Sequence, residues 1–237
     1  MSLTFEKPAE MHPLESPAEA SWAEWAGAHE PPARFLSVWS GPPVHGYDGP
    51  VRVAGVLAQP AELVLGIRSW NDAFEGTLDL SESGDEIPYA LFEVEKIVRM
   101  MLHQSGLALE ILASPTLLVA GGNGRRGGEL FPARRIVESA ITGDIIHHYR
   151  DVAGRWLERI EEAGRANLGE VDAREVARNA LTGRALMEGR VAFDLWTLAE
   201  RYGDGALVDL LRQLDVTDEP GDDWLAGFVE RVGGLVD

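Results

Sequence analysis

The chain has 237 residues, of which 45% are hydrophobic, so it is long enough to build a sizeable core in one or two domains. Lys and Arg total 21 against 39 Asp and Glu, and the resulting net charge of −18 repels nucleic-acid backbones and anionic lipid headgroups. This argues against broad nucleic-acid binding. Because the sequence has no cysteine, no secretory signal and no apolar run near the roughly 20 residues that span a bilayer, a soluble cytoplasmic protein without a membrane partner is expected.

The N-terminal third of the sequence changes character near residue 33. Residues 1–32 combine prolines and acids with little periodicity and carry Trp22 and Trp25, which predicts a loose arm with one short helix. Residues 34–39 and 51–57 are β-branched or aromatic-rich runs bounded by glycine and proline, and they predict two neighbouring strands. Two further strands are predicted near residues 63–67 and 76–80.

The middle of the chain is predicted to be helical from Tyr89 onward, because apolar residues recur with a period near 3.6 up to Ser105. A shorter helix is predicted over residues 107–112, ending before Pro115. The glycine-rich segment 121–128 lacks the Gly-Lys-Ser/Thr of a phosphate loop, so it is interpreted as a connector between domains.

The C-terminal half is helical in pattern throughout. Pro132 is predicted to open a long helix that reaches Ile160, and Asp172 with Glu175 has the spacing of a capping box for the next helix. Three more helices are predicted, centred on residues 195–198, 207–211 and 224–232. The expected architecture is therefore α+β. It consists of an arm (1–32), a small mixed α/β domain (33–120), the connector (121–128) and an all-helical domain (129–237).

Five sequence blocks stand in a recognisable order: Phe35 to Pro60, Glu93 to Lys96, Leu109 to Pro115, His147 to Arg150, and Arg178 to Met187. In this order they resemble one group of predicted nucleotidyltransferases of the DNA polymerase β superfamily, which includes members associated with RNA repair. The resemblance covers roughly residues 35–214, and it implies a nucleotidyltransferase-like fold for the mixed α/β domain.

The resemblance implies transfer of a nucleoside monophosphate from a nucleoside triphosphate to a hydroxyl, with two Mg²⁺ ions held by three carboxylates. Two Asp at i and i+2 on a strand project to the same side, so both can hold metal. Here these positions align with Pro50 and Arg52. The third carboxylate, expected on a strand that leads into the Glu93 helix, aligns with Pro88. None of these side chains ligates Mg²⁺, so the chain is expected to be a divergent member without catalytic residues, metal or cofactor.

The phosphate-binding turn of the family aligns with Ser40 and Gly41, which are candidate substrate-binding residues. The following Pro42 and Pro43 lack the backbone N–H groups that would cradle a triphosphate. Arg52 is a further candidate, because its guanidinium could hold a phosphate in place of a metal. Its alternative role is to neutralise nearby acids.

The resemblance also places three residues of the helical domain at the cleft. Tyr149, Arg150 and Arg178 are therefore candidates for lining a substrate pocket. For Arg178 the alternative is an ion pair with Glu175 or with an acid on a neighbouring helix.

Three functions follow from these patterns. The first is a catalytically inactive nucleotidyltransferase homologue, a pseudoenzyme that binds a nucleotide, an RNA end or a protein partner. The second is an active nucleotidyltransferase that uses Mg²⁺ with a nucleoside triphosphate in a rebuilt site formed by Asp48, Asp85 and Glu86. The third is a protein-interaction module that works through its acidic surface and arm, in which case deletion of residues 1–32 is expected to remove partner binding and leave the fold intact.

Overall fold

The computed structural model of the protein divides into two compact units. The sheet unit comprises Glu10–Val44 and Asp48–Ile141, and the helical unit comprises Met1–Ala9, His45–Tyr47 and Thr142–Asp237. The residues that the structure describes are 3–5, 34–40, 53–58, 72–80, 85–113, 137–163, 173–214 and 221–236. Within these ranges, no helix has both the length and the apolar character needed to cross a membrane.

Among the described elements, five strands come first along the chain, and those that follow are helices except for one two-residue strand. In chain order, the elements are β1 (Thr4–Phe5), β2 (Arg34–Ser40), β3 (Val53–Ala58), β4 (Ala73–Leu80), β5 (Asp85–Glu93), α1 (Val94–Leu102), α2 (Gly106–Ala113), α3 (Asp144–Ala163), α4 (Ala173–Met187), β6 (Arg190–Val191), α5 (Leu195–Tyr202), α6 (Gly205–Gln213) and α7 (Asp222–Val236). The mixed α/β unit and the helical unit agree with the expected α+β class.

The sheet unit is built on a four-stranded sheet with the order β2-β3-β5-β4. Strand β3 is antiparallel to β2 and parallel to β5, and β4 is antiparallel to β5. The strands predicted at residues 34–39, 51–57 and 76–80 are confirmed as β2, β3 and the second half of β4. The strand predicted near residues 63–67 lies outside the described residues.

The prediction that the chain is helical from Tyr89 onward is wrong for its first residues, since β5 continues to Glu93. Strand β5 lies between β3 and β4, and both Leu91 and Phe92 are buried, so neither face of the strand is polar at this end. Such a strand has no alternation that distinguishes it from a buried helix. The change to helix occurs at Glu93, whose side chain caps α1 by accepting a hydrogen bond from the amide of Glu95.

The sheet unit extends further along the chain than the sequence indicated. A short helical segment, residues 137–140, is joined to the turn between α1 and α2 by Gln104, whose Nε2 donates to the carbonyl of Ala140 at 2.9 Å and to that of Met101 at 3.2 Å. The boundary between the units consequently falls after Ile141. The connector expected at residues 121–128 lies outside the described residues.

The long helix predicted from Pro132 to Ile160 is also interrupted. Residues 141–143 are not helical, and α3 begins at Asp144. The amide of Asp144 donates to Thr142 Oγ1 at 3.2 Å, which satisfies one of the free N–H groups at the start of the helix. A short polar cap and Gly143 therefore separate two helices whose apolar residues share one period.

The core of the helical unit lies between α3, α4, α5, α6 and α7. Trp224 stacks on Phe228 with a ring-centroid separation of 4.9 Å, and its indole Nε1 donates to the carbonyl of Leu210 at 2.8 Å, which joins α7 to α6. Asp194 and Asp204 cap α5 and α6 by accepting backbone hydrogen bonds at 2.8 Å. The three helices predicted after α4 are confirmed.

Strand β1 belongs to the helical unit. Thr4 and Phe5 pair in parallel with Arg190 and Val191 of β6. Removing residues 1–32 would therefore also remove β1, and the expectation that this deletion leaves the fold intact stays a prediction.

Candidate functional site

Pro88, the position aligned with the third carboxylate, lies in β5 between two paired strands. Its Cα partner on β4 is Thr77, and the next residue, Tyr89, pairs with Val53 at the start of β3. Side chains alternate along a strand, and register partners project to the same face. Pro88, Thr77 and Ala90 therefore share one face, on which Pro88 and Thr77 are exposed. Strand β5 runs directly into α1. The exposed side chain of Pro88 has no atom that can ligate a metal.

Four of the predicted site positions lie outside the described residues: Gly41, Asp48, Pro50 and Arg52. Three others are located by backbone pairing, Ser40 opposite Val53, Asp85 opposite Leu80 and Glu86 opposite Asp79. In the sequence, Arg52 directly precedes Val53 and Pro88 directly precedes Tyr89. Val53 and Tyr89 form the first register pair of β3 and β5. Each of them directly follows one of the predicted carboxylate positions, Arg52 and Pro88.

Glu75 is an acid of this face that sequence reasoning missed. It lies on β4 opposite Ala90, so it projects to the same side as Pro88, and it is exposed. The sequence of β4 contains no signal for this neighbourhood, because the register between two strands is a tertiary feature. Within the part of the chain that the structure describes, no group of three or more histidines and acids is arranged to hold a metal ion.

Contacts at the start of α1 hold the end of β5. The amide of Glu93 donates to the carbonyl of Asp72 at 2.9 Å, and Lys96 Nζ donates to the carboxylate of Asp72 at 2.9 Å. The hydrogen bond from Lys96 holds the pKa of Asp72 below its ordinary value. The segment before β4 is thereby fixed to the first turn of the helix.

In the helical unit, Tyr149 is a core residue where α3 crosses α4. Its side chain is 1% exposed. A Cβ atom placed on Gly183 would lie 3.4 Å from Tyr149 Cβ and 3.5 Å from Arg150 Cγ, so the absence of a side chain at Gly183 permits this close crossing. The ring of His148 meets Tyr149 edge-on at 5.6 Å. Tyr149 fills the helix interface in this arrangement.

Arg150 binds the C-terminal end of α7. Its Nε donates to the carbonyl of Val236, and a Cβ atom on the nearby Gly154 would lie 3.6 Å from Val236 Cγ1. Carbonyls at the end of a helix lack intrahelical donors and carry partial negative charge, so a guanidinium is a favourable partner. Arg150, a candidate for lining a substrate pocket, therefore has a structural role in its hydrogen bond to the end of α7.

Arg178 is 1% exposed and forms the ion pair with Glu175 that was its alternative role. Its Nε donates to Glu175 Oε2 at 2.8 Å, and its Nη2 donates to Oε1. Asn179 Nδ2 adds hydrogen bonds to Oε1 at 3.1 Å and to the Glu175 carbonyl at 2.7 Å. The structure brings Tyr149 and Arg150 together next to Gly183 of α4, and Arg178 is paired with Glu175 nearer the start of the same helix.

Comparison with known proteins identifies a family and similar solved structures. Residues 36–214 match the family model RlaP, described as the RNA repair pathway DNA polymerase beta family. The chain is similar to the crystal structure of a nucleotidyltransferase-like protein from Exiguobacterium sibiricum, with 11% sequence identity, a TM-score of 0.40, and coverage of 92% of this chain and 74% of that one. None of the curated proteins matches the chain.

Proposed function

Because the chain belongs to the RNA repair pathway DNA polymerase beta family, we propose that it is a nucleotidyltransferase homologue without two-metal catalysis, which retains binding of a nucleotide or a partner. The observation that carries this proposal is the exposed Pro88 on the strand that leads into α1. At that position the family resemblance requires a carboxylate.

Pro88 and its alanine neighbours on this face do not fit the two-magnesium group of the family. Among the side chains that the structure describes there, Ala54, Pro88 and Ala90 offer no oxygen ligand, whereas Mg²⁺ requires oxygen donors in near-octahedral geometry. The family resemblance aligns Pro50 and Arg52 with the other two carboxylate positions. An arginine at such a position adds positive charge, which repels a metal ion and attracts a phosphate.

An active enzyme with relocated ligands is the second candidate, and the position of Glu75 is the observation that favours it. This exposed carboxylate projects from the same face as Pro88. A rebuilt site would combine Glu75 with Asp48, which precedes β3 in the sequence, and with Asp85 and Glu86, the first two residues of β5. Such a site would have a different geometry from the i, i+2 pair of the family.

The two candidates differ in their dependence on magnesium. Calorimetric titration of the protein with ATP, GTP, CTP and UTP, each with and without Mg²⁺, measures binding. Transfer of label from an α-labelled nucleotide to an RNA 3′-hydroxyl measures catalysis. We expect no magnesium-dependent transfer. Any nucleotide binding should be independent of metal and should weaken in an Arg52→Gln variant, which removes the positive charge.

The matched control for the second candidate is the variant Glu75→Gln/Asp85→Asn/Glu86→Gln, which removes three charges with little change in side-chain volume. If the wild-type protein transfers nucleotide in the presence of Mg²⁺ and this variant does not, the relocated carboxylates are the metal ligands and the inactive assignment is wrong. If neither binds any nucleotide, the retained function is partner binding.

A further inference from the structure

The last turn of α7 is held by a residue from another helix. The buried residues of α7 recur at intervals of four and end one turn before the helix does: Trp224, Phe228 and Val232. Beyond them, Leu235 and Val236 are only partly buried. The carbonyl of Val236 accepts a hydrogen bond from Arg150 Nε on α3. The last turn is therefore attached less firmly than the turns before it.

Two consecutive glycines, Gly233 and Gly234, lie between the buried part of α7 and its last residues. A Cβ atom at either position would have nothing within 4 Å, so packing does not require glycine at either of them. Each glycine in a helix disfavours the helical state by roughly fivefold relative to alanine. The sequence thus weakens the last turn of α7 without a gain in packing.

The compensating charge for this helix end comes from α3. The last turn of α7 contains no basic residue, although its carbonyls carry partial negative charge and lack donors within the helix. Arg150 supplies the positive charge instead. One turn further along α3, a Cβ atom on Gly154 would lie 3.6 Å from Val236 Cγ1, so the Val236 side chain lies close to α3 at the same point. Closure of the last turn consequently depends on contacts with α3.

Arg150 is half-buried in this closed arrangement, and its donor Nε is directed at a weak acceptor. A guanidinium binds phosphate oxygens through charge-assisted and often bidentate hydrogen bonds, which are roughly twice as strong as hydrogen bonds between neutral groups. A backbone carbonyl offers only the partial charge of the helix end. A phosphate group at Arg150 is therefore a stronger ligand than the Val236 carbonyl that it would replace.

We propose that residues 233–236, the last turn of α7, form a latch that opens while the rest of the helical unit stays folded, and that this latch competes with a phosphate-bearing ligand for Arg150. The inference rests on the proposed nucleotide-binding function and describes its regulation. In the closed state Arg150 holds the Val236 carbonyl, and in the open state its guanidinium binds a phosphate oxygen of the nucleotide. The apparent affinity for nucleotide is then reduced by the fraction of molecules in which the latch is open.

Hydrogen exchange of backbone amides in the full-length protein measures the opening of the latch. We expect the amides of residues 235 and 236 to exchange at least about tenfold faster than that of Phe228. The variant Gly233→Ala/Gly234→Ala should slow exchange in the latch about tenfold, because alanine favours the helix at both positions. Exchange in the latch as slow as at Phe228 would overturn the proposal.

The matched control for the locked variant is Gly205→Ala, at the start of α6. A Cβ atom at Gly205 also has nothing within 4 Å, so this substitution changes a helical glycine without reaching α7. It should leave exchange in the latch unchanged, whereas Arg150→Met should accelerate it. Slower exchange in the latch of Gly205→Ala, equal to that of the locked variant, would assign the effect to general stabilisation and contradict a separate opening.

Calorimetric titration with ATP in the absence of Mg²⁺ measures the competition. Gly233→Ala/Gly234→Ala should bind ATP about tenfold more weakly than the wild-type protein, because the open state is less populated. Val236→Pro removes a helical N–H and disrupts the last turn, so it should bind ATP more tightly. Neither change should alter the affinity in an Arg150→Met background.

The outcomes separate this inference from the proposed function on which it rests. If the wild-type protein and the locked variant bind ATP equally well although exchange in the latch is slowed, the latch does not control Arg150, and nucleotide binding stands without it. If neither the wild-type protein nor Val236→Pro binds ATP, nucleotide binding and the competition are both wrong. Binding by Val236→Pro that exceeds that of the wild-type protein, and that Arg150→Met abolishes, would support both.

Discussion

The ring of Tyr89 covers Gly76, its partner across β4 and β5. A Cβ atom on Gly76 would lie 2.7 Å from Tyr89 Oη and 2.9 Å from Cζ, which is closer than side chains approach. Alanine at a strand glycine ordinarily adds about 0.5 to 1 kcal/mol of stability, because glycine loses more backbone entropy on folding. The ring reverses that expectation at this position.

We therefore predict that Gly76→Ala lowers the free energy of unfolding by about 1 to 2 kcal/mol, through overpacking against the ring. The measurement is urea denaturation of the purified protein. In a Tyr89→Ala background the same substitution should be neutral or stabilising, since the obstructing ring is absent. A penalty of equal size in both backgrounds would show that the ring is not the cause.

The extent to which the sequence predicted the sheet depends on how each strand is bounded and buried. Strands β2 and β3 are short β-branched or aromatic runs between glycine and proline, so their positions were correctly predicted. Strand β5 was predicted only in its family context, because its last residues, including the buried Leu91 and Phe92, have the same apolar composition as a helix. Pro88 was identified through the resemblance, whereas Glu75 became visible only when the register of β4 was known.

In the helical unit the sequence predicted the helices and missed the contacts between them. Periodicity locates α5, α6 and α7, but it continues across the break at Thr142 and Gly143, where a polar cap ends one helix and begins another. The contact between Arg150 and Val236 joins distant parts of the chain, and two-residue strands such as β1 have no periodic signal. These features depend on tertiary packing.

Arg150 is predicted to stabilise the helical unit through the end of α7. Replacing it by methionine keeps an unbranched apolar chain and removes the donor to the Val236 carbonyl, so we expect a loss of about 1 to 2 kcal/mol in unfolding free energy. Arg155→Met, at an exposed position of the same helix, is the matched control. If Arg150 also lines a nucleotide pocket, Arg150→Met should weaken nucleotide binding at temperatures where the variant is fully folded, which separates the two roles.

The ion pair between Glu175 and Arg178 should respond asymmetrically to removal of either charge. Glu175→Gln removes the negative charge beside a guanidinium that is 1% exposed, and we expect a cost of about 1 to 3 kcal/mol. Arg178→Met leaves a carboxylate that is 36% exposed and can be hydrated, so its cost should be smaller. In chemical denaturation, the Glu175→Gln penalty should disappear in the Arg178→Met background. A penalty that persists there would mean that Glu175 acts through Asn179 instead.

His148 should make the folded protein less stable as the pH falls. Burial, followed by the nearby positive charge of Arg155, lowers the pKa of His148 below its ordinary value, and Asp151 opposes this only in part. Between the lowered pKa and the unfolded value of about 6.5, the unfolded chain binds more protons, so stability falls as the pH decreases through that window. His148→Gln should reduce this slope in thermal unfolding measured from pH 7.5 to 5, with the exposed His147→Gln as its control. An unchanged slope in His148→Gln would assign the acid sensitivity to other groups.

Restoring the carboxylates is the most direct test of how the site was lost. The variant Pro50→Asp/Arg52→Asp/Pro88→Asp returns an acid to each position at which the family resemblance expects one. Pro88 is exposed in a strand that is paired on both sides, so an aspartate there keeps its side chain in solvent and adds a backbone N–H. If the strands retain the family geometry, the variant should gain magnesium-dependent nucleotide binding that the wild-type protein lacks, as measured by calorimetry.

The matched Asn/Asn/Asn variant has side chains of the same size without charge, so binding by both variants would exclude a carboxylate metal site. Magnesium-dependent binding by the wild-type protein at the strength of the Asp variant would mean that the ligands had been replaced rather than lost.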